Sequence, residues 1–233
     1  MKKVLSMAVA SLAVAAVAAD FSPNIGVTTL SLSAKNNVIP VQYTSLTNSS
    51  NVTADALVCT NNIEVGSHLY IFLNNSYTAW TLTENGWEAL DTSSTSDGIT
   101  AGVPAEGQTL ATGTAIWLSF KTTPQSAVLV SVYGAVASEL STTISVGSST
   151  SPVSTLVCNQ TGSEKSNWLS SVSPAKGDKV QFLGSTFSGY YQYTGSAWKK
   201  VSGTSITEET PGSLGAYQGF WYVSKGGSGT ITW

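Results

Sequence analysis

The chain carries one imidazole, His68, and two thiols, Cys59 and Cys158. A Ser-His-Asp triad, a Cys-His pair or a histidine-rich metal site would each have to be built around that single ring. His68 opens a short apolar run where a related run later in the chain has Lys179, so it reads as a solvent-facing residue. The acids Glu84, Glu88, Asp91 and Asp97 cluster in one stretch. Two carboxylates flanking a glycosidic bond can hydrolyse it. The corresponding stretch of the second half has mostly Ser, Lys and Gly, so these acids read as solvated. Asp91 and Asp97 lack the Gly-bearing acidic spacing of a calcium loop. There is no phosphate loop, dinucleotide fingerprint or zinc spacing. These residues define no catalytic, cofactor or metal site, and the expected protein is not an enzyme.

Aromatic residues offer a different chemistry, because an indole or phenol face can stack on a sugar ring. Trp87 and Trp198, and again Trp117 and Trp221, recur at matching places in the two halves, as residues of a repeated core would. Trp168 lies in a Ser- and Lys-rich insertion without a counterpart. It is the candidate ligand-stacking aromatic, together with Tyr190. Cys59 and Cys158 both end a Leu-Val-Cys triplet. An even cysteine count in an exported chain makes them a candidate disulfide. Two buried thiols at one repeated core position, or bridges between chains, are the alternatives. Asn48, Asn51, Asn74 and Asn159 match the N-glycosylation pattern, which matters only in a host that glycosylates.

Composition limits the partners. Charged residues are 10% of the chain, against about 25% in an average soluble domain. Ser and Thr together number 65 of 233, and every basic side chain is Lys. A net charge of −3 and the absence of Arg leave no basic face for nucleic acid. Met1-Lys2-Lys3 precedes an apolar run over 4–17, which ends in small residues at Ala18-Ala19. This is the pattern of a cleaved secretory signal peptide over 1–19. The run is too short for the roughly 20 residues of a membrane span. The expectation is export without a membrane span or a lipid anchor.

The rest of the chain repeats. Gly66 to Phe72 recurs as Gly177 to Leu183 at an offset of 111, which also sets Trp87 over Trp198. Gly113 to Leu118 recurs as Tyr217 to Tyr222 at an offset of 104. Alternating segments beginning at Ile25-Gly26-Val27 and Tyr133-Gly134-Ala135 suggest that the copies run over 20–132 and 133–233. Each copy reads as short strands. Asn85-Gly86 between apolar runs predicts a hairpin. A further hairpin is predicted between Tyr191 and Trp198, and a last one joining Gly219–Val223 to Gly229–Trp233. Only residues 167–172 suggest a helical turn. The predicted fold is all-β, with two tandem, related, small β-sandwich or barrel modules after the signal peptide.

Asn24 to Ser33, followed by Asn37-Val38-Ile39-Pro40-Val41, resembles the opening of an uncharacterised family of secreted proteins. That family is widespread as paralogues in Verrucomicrobia–Lentisphaerae bacteria. Its members read roughly as a signal peptide, VGYVTLxLPAG and a VPF element. Gly219-Phe220-Trp221-Tyr222-Val223 is similar to its later Gly-Phe-Trp landmark. The resemblance implies export to the cell surface and brings no reaction.

A charge-poor, hydroxyl-rich chain of short strands suits self-association, because charged side chains normally block open strand edges. The expected role is a secreted structural protein that pairs with copies of itself in a filament, surface layer or matrix. The candidate strand-exchange segment is Phe21 to Leu32, with Val27, Leu30 and Leu32 as its apolar residues. The alternative is an adhesive or carbohydrate-binding surface module using exposed aromatics.

Overall fold

The computed structural model describes residues 25–44, 46, 51–53, 58, 60–73, 76–90, 99–104, 109–137, 139–183 and 189–233. The signal-peptide region, Phe21 and Cys59 lie outside these residues. The described chain is almost entirely antiparallel β-structure. Among the described residues, no helix is long and apolar enough to cross a membrane.

The first unit contains β1 (Ile25–Leu32), β2 (Asn36–Pro40), β3 (Tyr43–Thr44), β4 (Asn51–Thr53), β5 (His68–Leu73) and β6 (Ser76–Thr83). It continues with β7 (Gly86–Leu90), β8 (Ile99–Pro104), β9 (Thr109–Ala111), β10 (Ala115–Ser119) and β11 (Val128–Val136). A three-stranded sheet, β1-β11-β3, faces a six-stranded sheet, β2-β10-β5-β6-β7-β8. Strands β4 and β9 form a separate pair. The shared core takes Leu30, Val130 and Val132 from the small sheet and Ile39, Leu69, Trp80, Ile116 and Leu118 from the large one. Alternation along each strand produces this layer, since successive side chains point to opposite faces.

The second unit contains β12 (Ser141–Ile144), β13 (Val153–Cys158), β14 (Val172–Ser173), β15 (Lys179–Phe182) and β16 (Tyr190–Tyr193). It ends with β17 (Trp198–Ser202), β18 (Ser205–Glu208), β19 (Gly219–Ser224) and β20 (Ser228–Thr232). Its sheets are β12-β20-β14 and β13-β19-β15-β16-β17-β18. Apart from the β4–β9 pair, the strand order of the first unit recurs: β12 stands for β1, β20 for β11, β13 for β2 and β19 for β10. The two units thus share one sheet arrangement.

Three details of the sequence reading are corrected. First, β11 runs to Val136, so the junction between the units falls between β11 and β12 rather than at 132/133. Tyr133-Gly134-Ala135 is no second copy of Ile25-Gly26-Val27. The two segments are cross-strand partners, with Ile25 opposite Ala135 and Gly26 opposite Gly134. Their likeness reflects one shared environment rather than duplication. Second, β19 and β20 do not form a hairpin; they belong to different sheets. The buried Asp178 carboxylate accepts from the Lys225 N–H, and Ser224 Oγ donates to Gly227 O, so the connection turns between layers. Third, Leu57-Val58-Cys59 and Leu156-Val157-Cys158 are not equivalent. Cys158 lies opposite Gly219, and Pro40 lies opposite Ala115, so the counterpart of Cys158 is Pro40. Val58 instead pairs with Val132 in the other layer.

The predicted turn over 167–172 forms as a 3-10 turn at Trp168–Ser171. The hairpin at Asn85-Gly86 forms, with Glu84 and Asn85 in the turn and Thr83 opposite Gly86.

Candidate functional site

The large sheets are apolar on both faces where the units meet. In β10, Ile116 and Leu118 enter the core, while Ala115 and Trp117 point the other way. In β19, Phe220 and Tyr222 enter the core, while Trp221 points out. The outward residues meet in a third cluster, with Ala115, Leu156 and Cys158 buried and Val38, Trp117, Leu183 and Trp221 packed on them. Trp117 and Trp221, which are equivalent residues, touch with ring centroids 6.4 Å apart. Phe72 meets Trp221 edge-on at 4.8 Å. Contact between equivalent residues places a pseudo-twofold axis between the units. Trp117 and Trp221, expected as core, are therefore half-buried interface residues.

Buried amides also cross this interface. Gln42 Nε2 donates to the backbone oxygen of Gln160, its own equivalent after β13. Gln160 Nε2 donates in turn to Thr114 O at 3.0 Å, in the first unit.

The pseudo-twofold generates two related clefts. The larger, about 660 Å³, lies between the β1–β2 end of the first unit and β15 with the start of β19 in the second. Its walls include Asn36, Trp117, Gln181, Phe182, Tyr217 and Gln218. Its counterpart, about 450 Å³, is bounded by Ile71, Thr114, Thr142, Ser154 and Thr155. One side-chain difference on a shared backbone conformation separates them. Gly113 has φ +85°, and a Cβ there would stand 1.8 Å from Ser141 O. Its equivalent, Tyr217, holds the same left-handed region at φ 53° but carries a full side chain. The first strand of the second unit can thus lie directly on Gly113, whereas the Tyr217 ring packs against the first unit's core. A left-handed conformation costs a non-glycine residue roughly 1–3 kcal/mol and is held only where the surroundings impose it. Sequence reading missed Tyr217. The signal was present in the Gly113/Tyr217 mismatch of an otherwise matching repeat.

Polar groups in the two clefts are used differently. In the smaller one, Thr142 Oγ1 donates to Gly113 O and accepts from Trp233 Nε1, and Thr155 Oγ1 accepts from Ser145 N–H. In the larger one, Asn37 Nδ2 donates to Ala34 O and Gln218 Oε1 accepts from Gly215 N–H, but neither the Asn36 nor the Gln181 side-chain amide has a partner among the described residues.

The residues singled out from the sequence fall elsewhere. Trp168 is 2% exposed, not an exposed stacking surface. The insertion folds back through paired Lys165 and Leu214, and the 3-10 turn drops the indole onto Phe220 at 4.5 Å. Trp168 Nε1 donates to Gly212 O at 2.8 Å, so even its polar edge is spent. Tyr190 is half-buried, with Lys179 Nζ 4.6 Å from its ring centre. Cys158 is a free, buried thiol whose burial pushes its pKa well above the ordinary range. Val27, Leu30 and Leu32 sit in β1, paired with Tyr133, Val130 and Val128 of the same chain, and Leu30 is buried. Among the described residues, no three His, Cys, Asp or Glu side chains gather into a metal-binding group. His68 Nδ1 lies 2.9 Å from Thr81 Oγ1, and partial burial lowers its pKa.

Comparison with protein-family models, curated proteins and solved structures gives no match for this chain.

Proposed function

We propose that the chain is a secreted, non-enzymatic structural protein that associates with copies of itself at a bacterial surface or in an extracellular filament, layer or matrix. One observation carries the reading: β1 is an open, unguarded edge. All eight of its residues pair on one side with β11, and among the described residues no strand pairs with its other side. Its sequence, IGVTTLSL, has neither charge nor proline. Ile25 and Val27 are 65% and 63% exposed. Natural edges are usually blunted by Lys, Pro or a bulge, and an edge without them is a template for another chain. Because β1 is already paired internally, addition along its free edge loses no native pairs, whereas exchange of the strand would. The resemblance of the Asn24–Ser33 segment to exported surface proteins agrees with this placement.

The test is sedimentation and negative-stain microscopy of the mature chain over a range of concentrations. Concentration-dependent oligomers or fibres are expected. Val27→Lys places a charge on the exposed face of β1 and is expected to yield monomers with an unchanged melting midpoint. A wild-type chain that stays strictly monomeric at high concentration removes the reading.

A further inference from the structure

We infer that the larger cleft between the units is a binding site for a neutral saccharide. The inference does not depend on self-association. The cleft's volume of about 660 Å³ falls within the about 300–1,000 Å³ of small-molecule sites. Among the described residues no Lys, Asp, Glu or His lines it, so none of them offers a countercharge to an ionic ligand. Its lining includes the aromatic residues Trp117, Phe182 and Tyr217, together with Asn36, Asn37, Gln181 and Gln218, which carry amides. A carboxamide carries a donor and an acceptor side by side, which matches neighbouring hydroxyls on a sugar ring. Aromatic rings supply the complementary surface for its C–H face.

The duplicated cleft provides an internal control. The strand registers set Asn36 over Ser154, Asn37 over Thr155, and Gln218 over Thr114. Equivalent backbone positions thus carry amides in one cleft and short hydroxyls in the other. Where packing alone is required, as in the second cleft, the hydroxyls bond to protein. In the first, Asn37 Nδ2 donates to Ala34 O and Gln218 Oε1 accepts from Gly215 N–H, whereas Asn36 and Gln181 keep their amides uncommitted among the described residues. Tyr217 retains a left-handed backbone where the other copy has glycine, and its side chain forms part of the wall. These differences converge on one cavity.

The experiment is calorimetric titration of the mature chain with neutral hexasaccharides of β-1,4-glucose, β-1,3-glucose, β-1,4-xylose and α-1,6-mannose. Saturable binding of at least one, in the micromolar to millimolar range, is expected. Gln181→Ala should weaken it by about tenfold, since a hydrogen bond to the ligand is lost. Thr112→Ala, in the smaller cleft, should leave it unchanged. Thermal melts of each variant confirm folding. No binding by any of the four, or binding insensitive to Gln181→Ala and Asn36→Ala together, overturns the inference. So does occupation of the cleft by an extended peptide without saccharide binding. Oligomeric state measured on the same samples separates this outcome from any failure of the assembly reading.

Discussion

Asp178 shows how far one substitution can carry two copies of a module apart. Its buried carboxylate accepts from Ala175 N–H, from Lys225 N–H and from the Tyr222 hydroxyl at 2.8 Å. Burial, with the Asp178 hydrogen bond adding to it, pushes the Tyr222 pKa far above its usual value. In the first unit the same position is Ser67, whose hydroxyl accepts from Lys121 N–H alone, and Tyr222 is replaced by the buried Leu118. The two residues depend on each other: the buried carboxylate needs the extra donor, and the tyrosine hydroxyl needs the acceptor. Asp178→Ser should therefore cost roughly 2 kcal/mol or more, because a buried donor is left unsatisfied. Adding Tyr222→Leu should recover much of that loss by recreating the first unit's arrangement. Urea unfolding of the single and double variants measures the coupling, and additive losses would contradict it. Some of this scale was legible in the sequence and some was not. The two offsets located the repeat, and Trp87 and Trp198 are core as expected. Trp168 was misread because its Ser- and Lys-rich surroundings describe the outer side of a plug whose inner side holds one large indole. Composition around a residue does not specify which way a 3-10 turn points it.

Strand edges divide the molecule into guarded and unguarded sides. The outer strand of the second unit's large sheet, β18, is fully exposed like the outer face of β1, and Ile206 is 63% exposed. It is nevertheless flanked by charge. Lys199 pairs opposite Glu208, and Lys200 Nζ lies 3.0 Å from Glu209 Oε1. The Lys200 hydrogen bond, and then that from Tyr191, hold the Glu209 pKa below the ordinary carboxylate value. A lowered folded-state pKa contributes stability that is present above the unfolded value and lost as pH falls through the folded one. The expected effect is a slight acid-side decline in melting midpoint that Glu209→Gln flattens. It should be small, since exposed ion pairs contribute little. A decline unchanged in Glu209→Gln would assign it to other groups. β1 has no comparable charges, and this contrast is why the proposed self-association is assigned to β1 rather than β18. The elements were largely readable because their periods are short and their turns are marked by Gly and Asn. Their partners were less so. The connection from β19 to β20 has the length and glycines of a hairpin, yet Asp178, from a distant loop, fixes it as a crossing between layers. Local turn chemistry carries no record of that contact.

At the scale of the whole molecule, the second apolar face of each large sheet decides the architecture. Runs such as Ala115-Ile116-Trp117-Leu118 and Phe220-Trp221-Tyr222 are apolar at every position, as strands covered on both faces are. Such runs announce two buried faces without saying what covers the second. Here the cover is the other copy, and the same contact that hides Ala115, Leu156 and Cys158 opens the clefts on either side of the axis. The proposed binding site and the docking of the two units both depend on this one interface. Gly219 tests it directly. A Cβ there would stand 2.6 Å from Val38 Cβ, across the boundary between the units. Gly219→Ala therefore overpacks the interface, at a cost of about 1–3 kcal/mol. While the interface holds, the units should unfold in a single cooperative transition, with equal calorimetric and van't Hoff enthalpies. In Gly219→Ala the transition should broaden or split, with the calorimetric enthalpy exceeding the van't Hoff value. Saccharide binding should weaken in parallel, because Asn36 and Gln181 belong to opposite units and keep their spacing only while those units are docked. A variant that melts as one sharp transition with binding intact would show that the third cluster does not couple the two.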